Sequence, residues 1–545
     1  MICKGFWRVF TLLKELRMEY TLGVMTALNS VGQRLLTSLA LVSRREATEM
    51  KRTSRSEKVN VVGAGGTLTA AYEQLRNAAE NAEEHLLLQN AVRRFYKRLF
   101  VMRDETQVRT SGNELAVELT FAGYIPNNSL TRAQIESIST VAIDHYVAYE
   151  LLHQDRTVSM DAATKWLLDT LSVRVANVVD DRERAKAFAE IAYAYFDTIV
   201  PGQLETTKYN GAAEYQAPLM AMIHKALLKS DSATIRAALL EQYGVTVAQQ
   251  ELYITYNRRI DTMLKDPLTD TIYHMVDRQG PPLRVLKRMI DSRPDFLEIL
   301  PRREVFLEAY EQQVNKEYST IMTRVNRAIV RSVTFLIITK FIVGIAIEVP
   351  YDLWAYGMIH WQPLLINLLF PPLYMVALRL TLNAPGYANT TALVDQVDTM
   401  FYGERPQLRK RLSVRQYSPV FSVLYAVFGL AVFGGVMWLL LMLGFSIVHI
   451  GIFFVFICAA SFLGFRISRL IRELEVVRAA SNGLTFVRDF VYLPFVVVGR
   501  WMSDQYSQIN VVALVLDMLI ELPLKTVLRL VRQWGAFIDD RKDRI

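Results

Sequence analysis

Few residues in this chain have the type and spacing that chemistry needs. Glu150 and His153 have the E-x-x-H spacing that binds iron in helical bundles, with Asp144 and His145 one or two turns away. A di-iron site draws on two such motifs and two more carboxylates. Only one motif is present, so these residues read as an ordinary helix surface. In VNVVGAGGTLTAAYEQL, Gly63, Gly65 and Gly66 follow a β-prone run and precede a helix, as in a dinucleotide-binding turn. The third glycine is off the required spacing and no strand–helix alternation follows, so a flexible loop is expected. There is no P-loop, nucleophile elbow, H-E-x-x-H or paired CxxC. Cys3 and Cys458 have no partners at disulfide or metal spacing. The expectation is therefore no catalytic residue, no metal and no cofactor.

The remaining candidates lie in apolar surroundings. Lys340 falls near the middle of an apolar run, and Glu348 follows two turns later on roughly the same face. Asn367, Pro371 and Pro372 occupy a second run, and His449 begins a fourth. An ionisable residue inside a membrane span is a functional candidate by default. Lys340, Glu348, Asn367 and His449 could together line a path for a small solute or ion. The competing expectation, preferred at this level, is that Lys340 snorkels to the cytoplasmic interface while Glu348 sits at the outer one.

Four apolar segments must position these groups: 332–349, 363–382, 420–443 and 447–465. Each has about the length a bilayer core demands, and the last two carry no charge. Basic residues alternate across them. Arg324, Arg327 and Arg331 precede the first, Arg405 to Arg415 lie in the loop 383–419, and Arg466, Arg469 and Arg472 follow the fourth. The loop Pro350 to Gln362 has Asp352 and neither Lys nor Arg. The positive-inside rule then places both termini in the cytoplasm, with Trp354, Tyr356 and Trp361 in the outer aromatic belt. The net charge of +8 is read as that cytoplasmic excess rather than as a nucleic-acid surface.

The stretches TKFIVGIAIEVPYDLW and INLLFPPLYM resemble uncharacterised multi-pass membrane proteins of reduced-genome candidate-phylum bacteria. The resemblance covers the first two spans and their loop. It implies a bacterial cytoplasmic membrane and carries over no residue role.

Around the spans an all-α organisation is expected. Residues 1–42 form an amphipathic helix, 43–66 a charged flexible linker and 67–331 a cytoplasmic helical domain. The membrane region is 332–466. Within 67–331, Thr131 with Gln134 and Thr246 with Gln249 have capping-box spacing, Gly244 ends a helix, and a polar helix from Arg303 to Arg327 enters the membrane. Residues 467–545 are read as a cytoplasmic or interfacial region whose amphipathic stretch is Ile509 to Trp534. Gly429, Gly434 and Gly435 in the third span, with Gly451, Ala460 and Gly464 in the fourth, permit close packing within the bundle or between copies. The preferred functional expectation is a membrane-anchored cytoplasmic scaffold that docks a protein partner. The alternative is a transporter or channel.

Overall fold

The computed structural model describes residues 28–55, 57–61, 84–154, 157–180, 182–204, 214–403, 419–477 and 483–508. The chain is all-α, and among the described residues the only β pairing is an isolated bridge between Lys58 and Thr131. The expected amphipathic stretch Ile509 to Trp534 lies outside the described residues, as do 1–27 and the glycines at 63–66. The described chain divides into two compact units, one up to Asp277 and one from Arg278 onward. The division falls beside the Gly280-Pro281-Pro282 break, so the unit that holds the spans begins well before residue 332.

The first unit contains α1 (Ser30–Arg55), α2 (Glu84–Met102), α3 (Glu105–Phe121), α4 (Arg132–Gln154), α5 (Met160–Val179), α6 (Glu183–Asp197), α7 (Gln216–Leu227), α8 (Ser232–Gln242), α9 (Gln250–Met263) and most of α10 (Pro267–Gln279). Local signals act as the sequence suggests. Thr131 and Gln134 cap α4 reciprocally, with Thr131 N–H donating to Gln134 Oε1 at 3.0 Å and Gln134 N–H to Thr131 Oγ1 at 3.3 Å. Gly244, at φ 65°, takes the left-handed conformation just after α8. The expected linker 43–66 differs: α1 continues as helix to Arg55. Its apolar face, Leu35, Leu39 and Val42, is buried, and Glu46 accepts a two-pronged pair from Arg184 of α6 at 2.7 and 2.6 Å. Tertiary packing supplies the order that the charged sequence 43–55 would not hold alone.

The E-x-x-H residues are dispersed on α4. His145 is buried and bonds the Val141 carbonyl at 2.8 Å, while His153 pairs with Arg103 at 2.7 Å. Among the described residues no cluster of His, Cys, Asp and Glu is arranged to hold a metal ion.

The interior of this unit is tied by charge. Arg236 of α8, fully buried, donates to Asp169 of α5 at 3.2 Å, Asn257 of α9 at 2.8 Å and Asp261 of α9 at 2.5 Å. Arg93 of α2 also pairs with Asp169, and Trp166 Nε1 donates to Asp261 at 2.8 Å. Four helices thus meet at one balanced set of two guanidiniums and two carboxylates. Removing one partner of such a set leaves a buried charge uncompensated.

The second unit opens with α11 (Pro281–Ser292) and then a helix of 54 residues, Arg303–Tyr356. That helix comprises α12 (Arg303–Val343), a π-helical turn at Gly344–Glu348 and α13 (Val349–Tyr356). At 1.5 Å per residue it is about 80 Å long. Next come α14 (Trp361–Leu380), α15 (Tyr387–Tyr402), α16 (Pro419–Met442), α17 (Ile447–Arg472) and α18 (Gly483–Gln508). Among the described residues, four helices are long and apolar enough to cross a membrane: Arg303–Tyr356, Trp361–Leu380, Val423–Met442 and Ile447–Arg472. The chain is therefore read as spanning a bilayer four times.

The polar half of α12 anchors a collar around one end of the spans. Arg303 makes a two-pronged pair with Asp398 of α15, both bonds 2.7 Å. Asn389 of α15 donates to Tyr318 Oη and to the Leu474 carbonyl, each at 2.8 Å, and accepts from the N–H groups of Val476 and Val477. Arg284 of α11 donates to the Glu473 carbonyl at 2.9 Å.

α18 packs on the third and fourth spans. Phe495 and Val496 are buried, with Phe495 against Phe433 and Phe454 of the third and fourth spans. At Gly499 any side chain would overlap the Cys458 carbonyl, so the backbones touch there. Apolar length alone did not reveal this contact, because Phe490 to Val498 is too short to span.

Arg236→Met is expected to destabilise the first unit by about 3–5 kcal/mol, because Asp169 and Asp261 lose their buried counter-charge. Hydrogen exchange of the full-length chain, followed by mass spectrometry, should show lost protection in α5, α8 and α9. Burial also pushes the pKa of His145 down to about 3 and that of His224 down to about 4. Both lie below the unfolded value of about 6.5, so the unfolded chain binds more protons and stability falls as pH drops below about 6.5. Denaturant unfolding of this unit should weaken by about 1.4 kcal/mol per pH unit for each histidine, down to the folded pKa.

Candidate functional site within the membrane bundle

The site begins with a break in helix regularity. Pro350 has no N–H to donate to the Ala346 carbonyl, and its ring presses on the preceding turn. The helix widens just before it: the Val349 N–H reaches back five residues to the Gly344 carbonyl. This wide turn carries the first span on through 350–356, which the sequence alone reads as loop. The helix ends at Gly357, whose φ of 70° suits only a residue without a side chain.

The wide turn also changes which residues face each other. Eight residues of regular helix leave Glu348 about 80° around the axis from Lys340. One inserted residue in the turn reduces that offset to about 20°. Lys340 Nζ meets Glu348 Oε1 at 2.6 Å, with both side chains 1% exposed. Their Cα atoms are about 12 Å apart along the axis. Side chains lean toward a helix's N-terminus, so Lys340 must reach forward, away from the Arg324–Arg331 flank. It does not snorkel. Its ammonium also lies over the Phe456 ring of the fourth span, 5.0 Å from the centroid.

Asn367, in the second span, joins three elements. Its Nδ2 donates to Glu348 Oε1 at 2.8 Å and to the His449 carbonyl at 3.2 Å. His449 is held by the turn that precedes the fourth span: Ser446 Oγ accepts from the His449 N–H and lies 2.7 Å from Nδ1. All four residues expected from the sequence, Lys340, Glu348, Asn367 and His449, thus come together in one buried cluster.

A fifth residue completes it. Asp352, one turn beyond Glu348, is fully buried. Its Oδ2 accepts from the His360 N–H at 2.9 Å, and its Oδ1 lies 3.7 Å from His449 Nε2. The signal was its i+4 spacing from Glu348, hidden by reading 350–362 as loop. Below the cluster, Tyr374 of the second span and Ser461 of the fourth share a hydrogen bond of 3.0 Å.

Of the small residues, Gly464 lies tightly against Leu378 of the second span and Gly429 faces Pro494, whereas Gly434, Gly435 and Gly451 have open space beside them. Gly464 therefore serves packing inside the bundle. The third span is almost wholly exposed along its apolar length.

No protein-family model, curated protein or solved structure matches this chain. What the cluster does must be argued from its own chemistry. It offers one paired cation, one carboxylate bound twice, a second carboxylate with a free oxygen, and an imidazole facing it.

Lys340→Met alone leaves the Glu348 carboxylate buried and short of its main partner, and should lower thermal stability of the purified chain sharply, by about 3–5 kcal/mol. Lys340→Met combined with Glu348→Gln removes both charges and keeps an acceptor for Asn367. The double variant should recover most of that loss. A double variant no more stable than the single one would refute the pairing.

Proposed function

We propose that this chain is a cytoplasmic-membrane protein in which a large helical module is held at the inner face by a four-span bundle and serves there to dock a protein partner. The observation that carries this reading is the burial of the polar cluster, whose groups are turned onto one another. Lys340, Glu348, Asp352, Asn367 and His449 are each at most 1% exposed. A conduit needs a hydrated lining, and a bundle closed in this way suits anchoring.

The basic flanks support the orientation. Arg324, Arg327 and Arg331 on α12, and Arg466, Arg469 and Arg472 on α17, flank the inner collar, where the positive-inside rule puts them. Trp354 and Trp361 are exposed at the opposite end of the first two spans, as an outer aromatic belt requires. On the first unit, Val147 and Leu151 stand one turn apart on α4, each 48% exposed, and offer an apolar edge to a partner.

A second reading, transport of a small solute or ion past Lys340, Glu348 and Asn367, is favoured by the presence of ionisable groups inside a bilayer. Reconstitution separates the two. The full-length chain in sealed proteoliposomes should leave imposed proton and potassium gradients intact, as protein-free vesicles do, if the bundle anchors. Dissipation of either gradient by the wild type, lost in the double variant of Lys340 and Glu348, would replace docking with transport. Orientation is tested separately. In a background where Cys3 and Cys458 are serine, Trp354→Cys should react with a membrane-impermeant thiol reagent from outside. Reaction of Lys410→Cys under the same conditions would invert the topology.

A further inference from the structure

The charges of the buried cluster do not balance. The cluster has one basic group in Lys340 and two acidic groups in Glu348 and Asp352. With all three ionised and His449 neutral, one negative charge would be left at a buried position. An uncompensated charge in such a place is strongly disfavoured, and the usual resolution is to bind a counter-charge.

The unpaired atoms mark where that counter-charge belongs. Asp352 Oδ1 and His449 Nε2 are buried, have no hydrogen-bond partner, and face each other at 3.7 Å. That gap is too long for a hydrogen bond and short enough for an ion pair. The other nitrogen of the ring is already engaged with Ser446. We propose that Asp352 and His449 form a proton-binding site, in which one proton taken up from the outer aqueous face converts the pair to a carboxylate bound to an imidazolium.

No bond other than N–H is made, and the proton comes from solvent water or its buffer. The route is His360. Its side chain is 37% exposed and its Nδ1 lies 3.7 Å from Asp352 Oδ2, so it connects the buried carboxylate with the surface. The groups facing the pair are known from each element around it. Lys340 comes from α12, Glu348 from the wide turn, and Tyr351 and Tyr356 from α13. His360 precedes the second span and Asn367 lies within it. The two tyrosines contribute rings and hydroxyls, and Lys340 and Glu348 are paired with each other. Asp352 is therefore the group that sets the charge of His449. Protonation would draw the pair to hydrogen-bond length, which pulls the start of the fourth span toward the end of the first. The site could act as a sensor of external pH on an anchored docking module or as the first station of a proton path. Its existence depends on neither use.

The test uses the full-length chain with ¹⁵N-labelled histidine in lipid nanodiscs, titrated from about pH 8 to 5 by NMR. The chain has seven histidines, so His449 is assigned by its loss in His449→Gln. The expected result is a doubly protonated His449 signal within this range, lost in Asp352→Asn. It should keep its midpoint in His360→Gln, with slower exchange. A His449 that stays neutral throughout, or one that titrates unchanged in Asp352→Asn, would overturn the proposal. So would displacement of the proton by added sodium or potassium at fixed pH, which would make the site a cation site. Lys340→Met with Glu348→Gln serves as the folded control, since it leaves Asp352 and His449 in place and should still titrate. The orientation and docking readings stand or fall on labelling and flux, so their failure would not be confused with failure here.

Discussion

A lysine placed inside a hydrocarbon layer must find its counter-charge within the protein, and the architecture of the bundle follows from that need. Insertion of an unpaired lysine at a helix centre costs about 2.5–3.5 kcal/mol. Lys340 meets the requirement through Glu348 on its own helix, but a regular helix would carry the carboxylate about a quarter-turn too far round. The wide turn at Gly344–Glu348 corrects the angle, and Pro350 makes that turn the cheaper conformation. Glu348 then has further acceptor capacity, which Asn367 of the second span takes up, and Asn367 in turn bonds the backbone at His449. Three spans are registered against one another by a single ion pair and one amide.

The first unit uses buried charge in a related way with a different balance. Arg236 and Asp169 lie at the crossing of four helices, and the set closes with equal numbers of positive and negative groups. Such a set gives each helix one allowed position, because any slip would strand a charge. The collar pair Arg303–Asp398 is more exposed, and its geometry matters more for orientation than for stability. The membrane cluster differs from both in having two acidic side chains, Glu348 and Asp352, beside the single lysine.

The same features bear on function. A buried, internally paired cluster suits a bundle that anchors a module, and the collar of α11, α12 and α15 is tied to the segment after the fourth span. Proton uptake by Asp352 and His449 would alter the packing of the first span against the fourth, since they belong to one each. The first-span helix is continuous from Arg303 to Tyr356, so a change near Asp352 and the collar at the opposite end act on one helix.

The sequence by itself determined the elements whose causes are local. Apolar length set the four spans, a Thr and a Gln three residues apart set the cap of α4, and a glycine set the end of α8. It also supplied the membership of the polar cluster, because Lys340, Glu348, Asn367 and His449 are conspicuous in apolar runs. Their arrangement was not legible there. Whether Lys340 snorkels or pairs depends on one inserted residue in a helical turn, and periodicity counting assumes regular turns. Asp352 joined the cluster only because the helix continues past Pro350, where proline commonly marks a break. Ordering of 43–55 and the deep seat of Phe495 to Gly499 likewise came from partners distant in sequence: Arg184 for one, Cys458 and Phe454 for the other. Composition decides which segments leave water. Only the tertiary structure decides which charges meet once they have left it, because that depends on angles and depths that no single segment contains.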